Sequence, residues 1–204
     1  MTLAMRIGID FDNTLAGYDG VFSRLACEWG LSAPGSTLTK LQVRELARQQ
    51  DELLWQRIQG EVYGPRMQQA EQFEGVDSFL TRCAAAGGIE VCIVSHKTQF
   101  GHFDETNTDL RIAARSWMKS HGFFDRYGIV DQNLYFESTQ TEKVQRIAQL
   151  RCDLFIDDLP ELFEHPDFPA ATRKILFSPG NAGANDAVTR CASWHQIEVE
   201  VFGS

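Results

Sequence analysis

The sequence has no surplus of positive charge. Its 19 lysines and arginines stand against 28 aspartates and glutamates, a formal net charge of −9. A nonspecific binder of nucleic-acid polymers needs a basic field to displace counterions from phosphates, so no such partner is expected. A small phosphorylated ligand stays open, because one local cation or metal can outweigh a global excess of acid. No apolar run approaches the roughly 18–20 residues of a membrane-spanning helix, and no membrane partner is expected. Residues 1–7 pass directly into a strand-like run without the layout of a signal peptide, which makes cytoplasmic residence the expectation. Paired cysteines are missing too. Cys27, Cys83, Cys92, Cys152 and Cys191 are odd in number and widely spaced, with no CxxC. Four of them sit among apolar neighbours, which reads as buried, reduced thiols. His102, His121, His165 and His195 show no zinc-ligand spacing. Neither GxxxxGK nor GxGxxG occurs, so no nucleotide cofactor is indicated.

The 204 residues present suit one compact domain carrying an insertion. With 43% hydrophobic residues they can build a real core, which excludes a disordered chain or a disulfide-stapled miniprotein. Residues 6–11 (RIGIDF) form a short apolar run ending in acid, the pattern of a buried parallel strand. From about 17 to 73 the apolar residues recur at helical spacing, with almost no β-branched runs, so a small all-helical insertion is expected there. Alternation follows: a helix over 76–86, a strand over 89–94, a helix over 109–121 and a strand over 134–136. A helix over 142–150, a strand over 153–156, a helix opening near Pro160 and a strand over 174–177 complete it. Strands alternating with helices predict an α/β fold with a parallel sheet. The segment 132–138 (QNLYFES) resembles a protease-tag scar, lacks the final Gln of one, and fits the strand rhythm as native sequence.

In such sheets ligands bind beyond the carboxyl ends of the strands, where strand order reverses. Three strands here end in chemically useful residues: Asp10-Phe-Asp12-Asn-Thr14, Ser95-His96-Lys97, and Asp157-Asp158. Lys143 opens the helix before the last of them. Taken alone, each piece has an ordinary reading, since Asp at a strand end commonly caps a turn or a helix. Together, in order and each after an apolar strand, they point to one site. Two like charges about 4 Å apart repel by roughly 4 kcal/mol at an effective dielectric near 20. Four bare carboxylates are therefore untenable without protons or a cation. Oxygen donors without cysteine or clustered histidine select a hard divalent ion, and Mg²⁺ is the usual choice beside phosphate. With Mg²⁺ and Lys143 the four carboxylates retain a single negative charge, or none if one is protonated.

The runs Ile7-Gly-Ile-Asp10-Phe-Asp12-Asn-Thr14-Leu, Ile93-Val-Ser95, Lys143 and Phe155-Ile-Asp157-Asp158 resemble the four motifs of the haloacid dehalogenase (HAD) superfamily. The resemblance spans residues 6 to about 179. It implies a Rossmann-like core over 1–16 and 74–204, with a small helical cap over 17–73. It implies Asp10 as nucleophile, Asp12 as general acid and base, and Lys143 as the cation joining nucleophile and phosphate. Thr14 and Ser95 would hold phosphoryl oxygens, and His96 could touch substrate. Mg²⁺ would lie on Asp10, the Asp12 carbonyl and Asp158, with Asp157 direct or through water. Because dehalogenases of the superfamily lack the second Asp, the resemblance favours phosphoryl chemistry. The expected activity is Mg²⁺-dependent hydrolysis of a small phosphorylated metabolite. A 5′-nucleotidase-like specificity, a phosphomutase and a non-catalytic binding module are the alternatives. In the cap, Lys40, Arg44 and Arg48 form a basic stripe that reads as a solvated face. Trp55, Tyr63 and Arg66 are the candidate substrate contacts, because Gly60 and Gly64 interrupt the helix there. Oligomeric state is not legible.

Overall fold

The computed structural model describes residues 5–101, 107–180, 183–185 and 187–203, which leaves His102 outside the described residues. Along the chain the strands are β1 (Met5–Ile9), β2 (Ala16–Gly17), β3 (Glu71–Gln72), β4 (Ile89–His96) and β5 (Leu134–Glu137), then β6 (Leu154–Asp157), β7 (Arg173–Phe177), β8 (Gly183–Asn185) and β9 (Val188–Cys191). The helices are α1 (Asp19–Glu28), α2 (Lys40–Gln50), α3 (Glu52–Tyr63) and α4 (Val76–Ala85), then α5 (Leu110–Ser120), α6 (Gln140–Leu150), α7 (Pro160–Phe163) and α8 (Trp194–Phe202). Contacts gather the chain into two compact units. One comprises Met1–Leu15, Gln72–Lys97 and Gly122–Ser204; the other comprises Ala16–Glu71 and Thr98–His121.

The first unit holds a seven-stranded sheet in the order β5-β4-β1-β6-β7-β9-β8. Six strands run parallel and β8 closes one edge antiparallel to β9. This is the Rossmann-like α/β arrangement expected from the alternation of strands and helices. The chain leaves β1 for β4 on one side and later returns to β6 on the other, so strand order reverses at β1. Ile7 and Ile9 are fully buried, and burying each such side chain contributes about 1.5–3 kcal/mol relative to leaving it in water. A Cβ at Gly8 would collide with the Phe155 ring, so glycine is required by the close approach of β6. Cys92, Cys152 and Phe155 belong to one buried cluster with Val144 and Ile147 of α6. The tail beyond Pro179, to which the sequence pattern assigns no element, forms β8, β9 and α8.

The second unit is helical. Its α2 begins with a capping box between Thr39 and Gln42, and α3 begins one residue later on the extended Asp51, whose side chain accepts from the Leu53 N–H. The helical periodicity running through both is therefore two helices broken at Asp51. Gly60 lies inside α3, and Gly64 alone ends it: a Cβ at Gly64 would stand 2.7 Å from the Gly60 carbonyl oxygen. Phe22, Trp55, Ile58, Val62 and Met67 are buried in this unit, with Phe22 and Trp55 stacked at 5.5 Å. Here the structure departs from the expected boundaries of 17–73. The segment Thr98–His121, expected in the core, packs with the helical unit instead. The reason is α5, whose buried Trp117 donates its indole N–H to the Ala70 carbonyl at 2.9 Å.

Candidate functional site

Register sets the height at which the polar residues emerge. Ile9 of β1 pairs with Ile93 of β4 on one side and Ile156 of β6 on the other. One step further, the Asp10 N–H donates to the Ile156 carbonyl at 2.9 Å, so Asp10 leaves the sheet level with Asp157. From the other neighbouring strand, Ser95 lies one residue before the end of β4, two past Ile93. Lys143 enters from above. Thr139 caps α6 in a capping box with Glu142, and the next turn turns Lys143 inward beside Val144 and Ile147.

The result is a dense charge cluster. Lys143 is 2% exposed, with Nζ 2.5 Å from Asp10 Oδ1 and 2.6 Å from Asp157 Oδ2. Asp157 is fully buried, and its other oxygen accepts from the Leu159 N–H at 2.9 Å. Burial alone would strip charge from Lys143, but the two carboxylates outweigh it and hold its pKa above the ordinary lysine range. For Asp157, burial pushes the carboxyl up to about 7, against the pull of Lys143 and with Asp10 adding to the rise. One ammonium bonds both carboxylates but offsets only one of their two negative charges. A second cation at this spot would relieve both.

The donor set fits such a cation. Carboxylate oxygens of Asp10, Asp157 and Asp158 lie within 4.8 Å of one another. Oxygens sharing one Mg²⁺ at about 2.1 Å stand about 3–4 Å apart, so small side-chain shifts suffice. Thr14 is buried among them, its Oγ1 3.4 Å from both Asp10 Oδ2 and Asp158 Oδ1. The Asp12 side chain stands outside that trio. Its carboxylate contacts Lys97 Nζ at 2.9 and 3.0 Å. Ser95 Oγ is buried and has no hydrogen-bond partner among the described residues. His96 is exposed, its Nε2 3.0 Å from the Ser138 carbonyl oxygen, and it lines a cavity of about 350 Å³ with Gln140, Lys143, Leu159, Glu161 and Leu162.

The structure thus brings Asp10, Thr14, Lys143, Asp157 and Asp158 together within bonding range, and sets Asp12 beside them on a cation of its own. Lys97 is the residue whose part sequence reasoning left blank. Its position two residues past Ser95 was the available signal, since a parallel strand end with that spacing returns a side chain toward the same edge. Lys97 also changes the charge inventory. Two lysines and one Mg²⁺ would bring four carboxylates to neutrality, in place of the single negative charge expected without Lys97. In the helical unit, Trp55 is core. Arg66 is held by Glu28 at 2.7 Å and Glu61 at 3.7 Å, and Tyr63 packs edge-on against Tyr18.

No family model and no curated protein matches the sequence. Solved structures do match its fold. A HAD family hydrolase from Deinococcus radiodurans R1 with bound phosphate and sodium superposes with a TM-score of 0.56 at 15% identity, covering 98% of this chain and 96% of that one. A HAD-hydrolase from Bacillus subtilis bound to magnesium gives 0.56 at 10% identity, over 98% and 99%. An archaeal β-phosphoglucomutase from a hyperthermophilic Pyrococcus gives 0.51 at 15% identity, over 97% and 96%. At these identities the likeness is one of fold.

Proposed function

We propose that this chain, folded as HAD hydrolases are, is a Mg²⁺-dependent phosphatase that hydrolyses a small phosphomonoester through an aspartyl-phosphate on Asp10. One observation carries the reading. A buried carboxylate at the strand-order reversal is bonded to a buried lysine and grouped with two further carboxylates. Such a cluster costs stability unless a ligand set completes it, which is the mark of a site built for chemistry.

In this reading Asp10 is the nucleophile, and as a carboxylate it needs no activating base. An Asp10 oxygen forms a bond to phosphorus while the bond from phosphorus to the leaving oxygen breaks. Asp12 gives its proton to that oxygen. It then takes a proton from the water that attacks the phosphoryl-aspartate, freeing phosphate and restoring Asp10. General acid–base help of this kind contributes about 10²–10⁴-fold. Lys143 holds Asp10 in place and offsets the repulsion between nucleophile and substrate. The orphan Ser95 hydroxyl is a donor for a phosphoryl oxygen. Thr14 fixes the spacing of Asp10 and Asp158, and His96, which lines the cavity, would meet the substrate. Asp10, Asp157, Asp158 and the Asp12 carbonyl would hold Mg²⁺, which supplies charge neutralisation at the transferring phosphoryl group.

The test is phosphate release from an aryl phosphate, then from sugar phosphates, nucleotides and phosphorylated amino acids. Wild type is expected to release phosphate, to stop with EDTA and to recover with Mg²⁺. Asp10→Asn is expected to abolish release while unfolding cooperatively. Equal turnover by Asp10→Asn would reject the nucleophile, and turnover unchanged by thorough chelation would reject the metal. Phosphate moved between positions of a sugar without appearing in solution would make the chain a mutase, the activity named for the Pyrococcus neighbour. A blank screen would favour a binding module.

A further inference from the structure

The nucleophile-bearing turn is tied down by a residue 180 positions away. Trp194 opens α8, is fully buried, and donates its indole N–H to the Thr14 carbonyl at 3.0 Å. Asn13, just before Thr14, adopts a left-handed backbone with φ of 59°. A non-glycine residue there is uncommon and needs support from its surroundings. The Thr14 hydroxyl in turn spans Asp10 and Asp158 at 3.4 Å each. A single buried residue therefore faces the metal-binding carboxylates with its side chain and Trp194 with its carbonyl.

The indole is itself locked. Its ring packs at 5.1 Å from Phe79 and 5.9 Å from Phe177. Gly75, at φ of 89°, leaves room for it, since a Cβ there would come within 2.9 Å of the Trp194 Cβ. Ser193 caps the helix by accepting from the Gln196 N–H at 3.2 Å, which fixes where the indole begins. Tryptophan offers a donor and no acceptor, so its indole N–H can serve only an acceptor, which here is the Thr14 carbonyl. Phenylalanine would fill much of the same space without the N–H.

We infer that Trp194 is a positioning residue that sets the separation of Asp10 and Asp158 for Mg²⁺ through the Thr14 main chain. The inference rests on the metal reading above. Partners one step behind the ligands of a metal, as Thr14 is here, orient them, and removing one typically costs about 10–100-fold in metal affinity. Trp194 stands one step further back, so the low end of that range is expected.

The experiment compares Mg²⁺ affinity by isothermal titration calorimetry in wild type, Trp194→Phe and Phe79→Leu. The last variant loosens the same aromatic cluster without touching the Thr14 carbonyl. Trp194→Phe is expected to bind Mg²⁺ about tenfold more weakly, while Phe79→Leu keeps wild-type affinity at a similar loss of Tm. Wild-type affinity in Trp194→Phe, or an equal loss in both variants, overturns the positioning role while leaving the metal reading intact. No Mg²⁺ binding by wild type overturns both. Should Trp194→Phe fail to fold, the unaltered protein still decides. The Trp194 indole N–H resonance is expected to move on adding Mg²⁺, while that of Trp117, which serves the Ala70 carbonyl, stays still. A stationary Trp194 resonance at saturating Mg²⁺ overturns the inference.

Discussion

Lys97 and Lys143 show how the same residue type takes two parts within one site. Lys143 bridges two carboxylates and is fully enclosed, whereas Lys97 holds the carboxylate of Asp12, whose side chain is 20% exposed. Removing one member of a fully buried pair costs about 3–5 kcal/mol, and the partial exposure of Asp12 places Lys97 below that range. Under the mechanism proposed above, Lys97→Met is expected to lower kcat on an aryl phosphate by about 10–100-fold, because Asp12 would lose the contact that aims it, against the larger 10²–10⁴-fold scale of losing the proposed acid itself. Lys97→Arg keeps a cation in place and should recover part of the rate. A Lys97→Met enzyme with wild-type kcat would show that Asp12 is aimed by something else. Asp10, Asp12, Thr14, Lys143 and the Asp157-Asp158 pair stand out in the sequence as a set, since each abuts an apolar strand or opens a helix, although each alone has an ordinary reading. Lys97 gave no comparable signal, as a lysine after a strand is ordinarily solvated.

At the scale of elements, capping residues explain where helices begin better than apolar spacing does. Asp109 is the case with the most contacts. Its carboxylate accepts from the Arg111 and Ile112 N–H groups and from the Gln99 amide, each at 2.9 Å. Burial works to raise its pKa, but these donors win and hold it below the usual carboxylate value. Asp109→Ala should therefore cost about 1 kcal/mol at neutral pH, measured by urea unfolding. Because the folded pKa lies below the unfolded one, that contribution is complete above about pH 4 and fades as pH falls through the folded value. The gap between wild type and variant should accordingly narrow in acid, and a gap independent of pH would show that the carboxylate charge is not what caps α5. Asp51 makes the parallel point. Apolar periodicity runs across it from α2 into α3, while its extended backbone and side-chain cap divide them.

For the whole molecule, thiol chemistry reads out the packing. Burial pushes Cys83 and Cys152 up to about 12 and Cys92 and Cys191 up to about 11, leaving them neutral and shielded, while Cys27 is partly exposed. Titration with Ellman's reagent at pH 8 should count about one reactive thiol in the native protein and all five after unfolding. Three or more fast native thiols would mean the sheet is looser than described. Among the described residues no helix is long and apolar enough to cross a membrane, in line with the hydropathy of the sequence. The sequence by itself determined the α/β class, the central parallel strands and the acidic residues at their ends, because strand burial and helix capping are written in neighbouring residues. Only the tertiary structure decided that α5 joins the helical unit, that Lys97 takes Asp12 and that Trp194 holds Thr14. Those contacts join residues 47, 85 and 180 positions apart, and what selects them is side-chain shape and the register of distant elements, which no local pattern encodes.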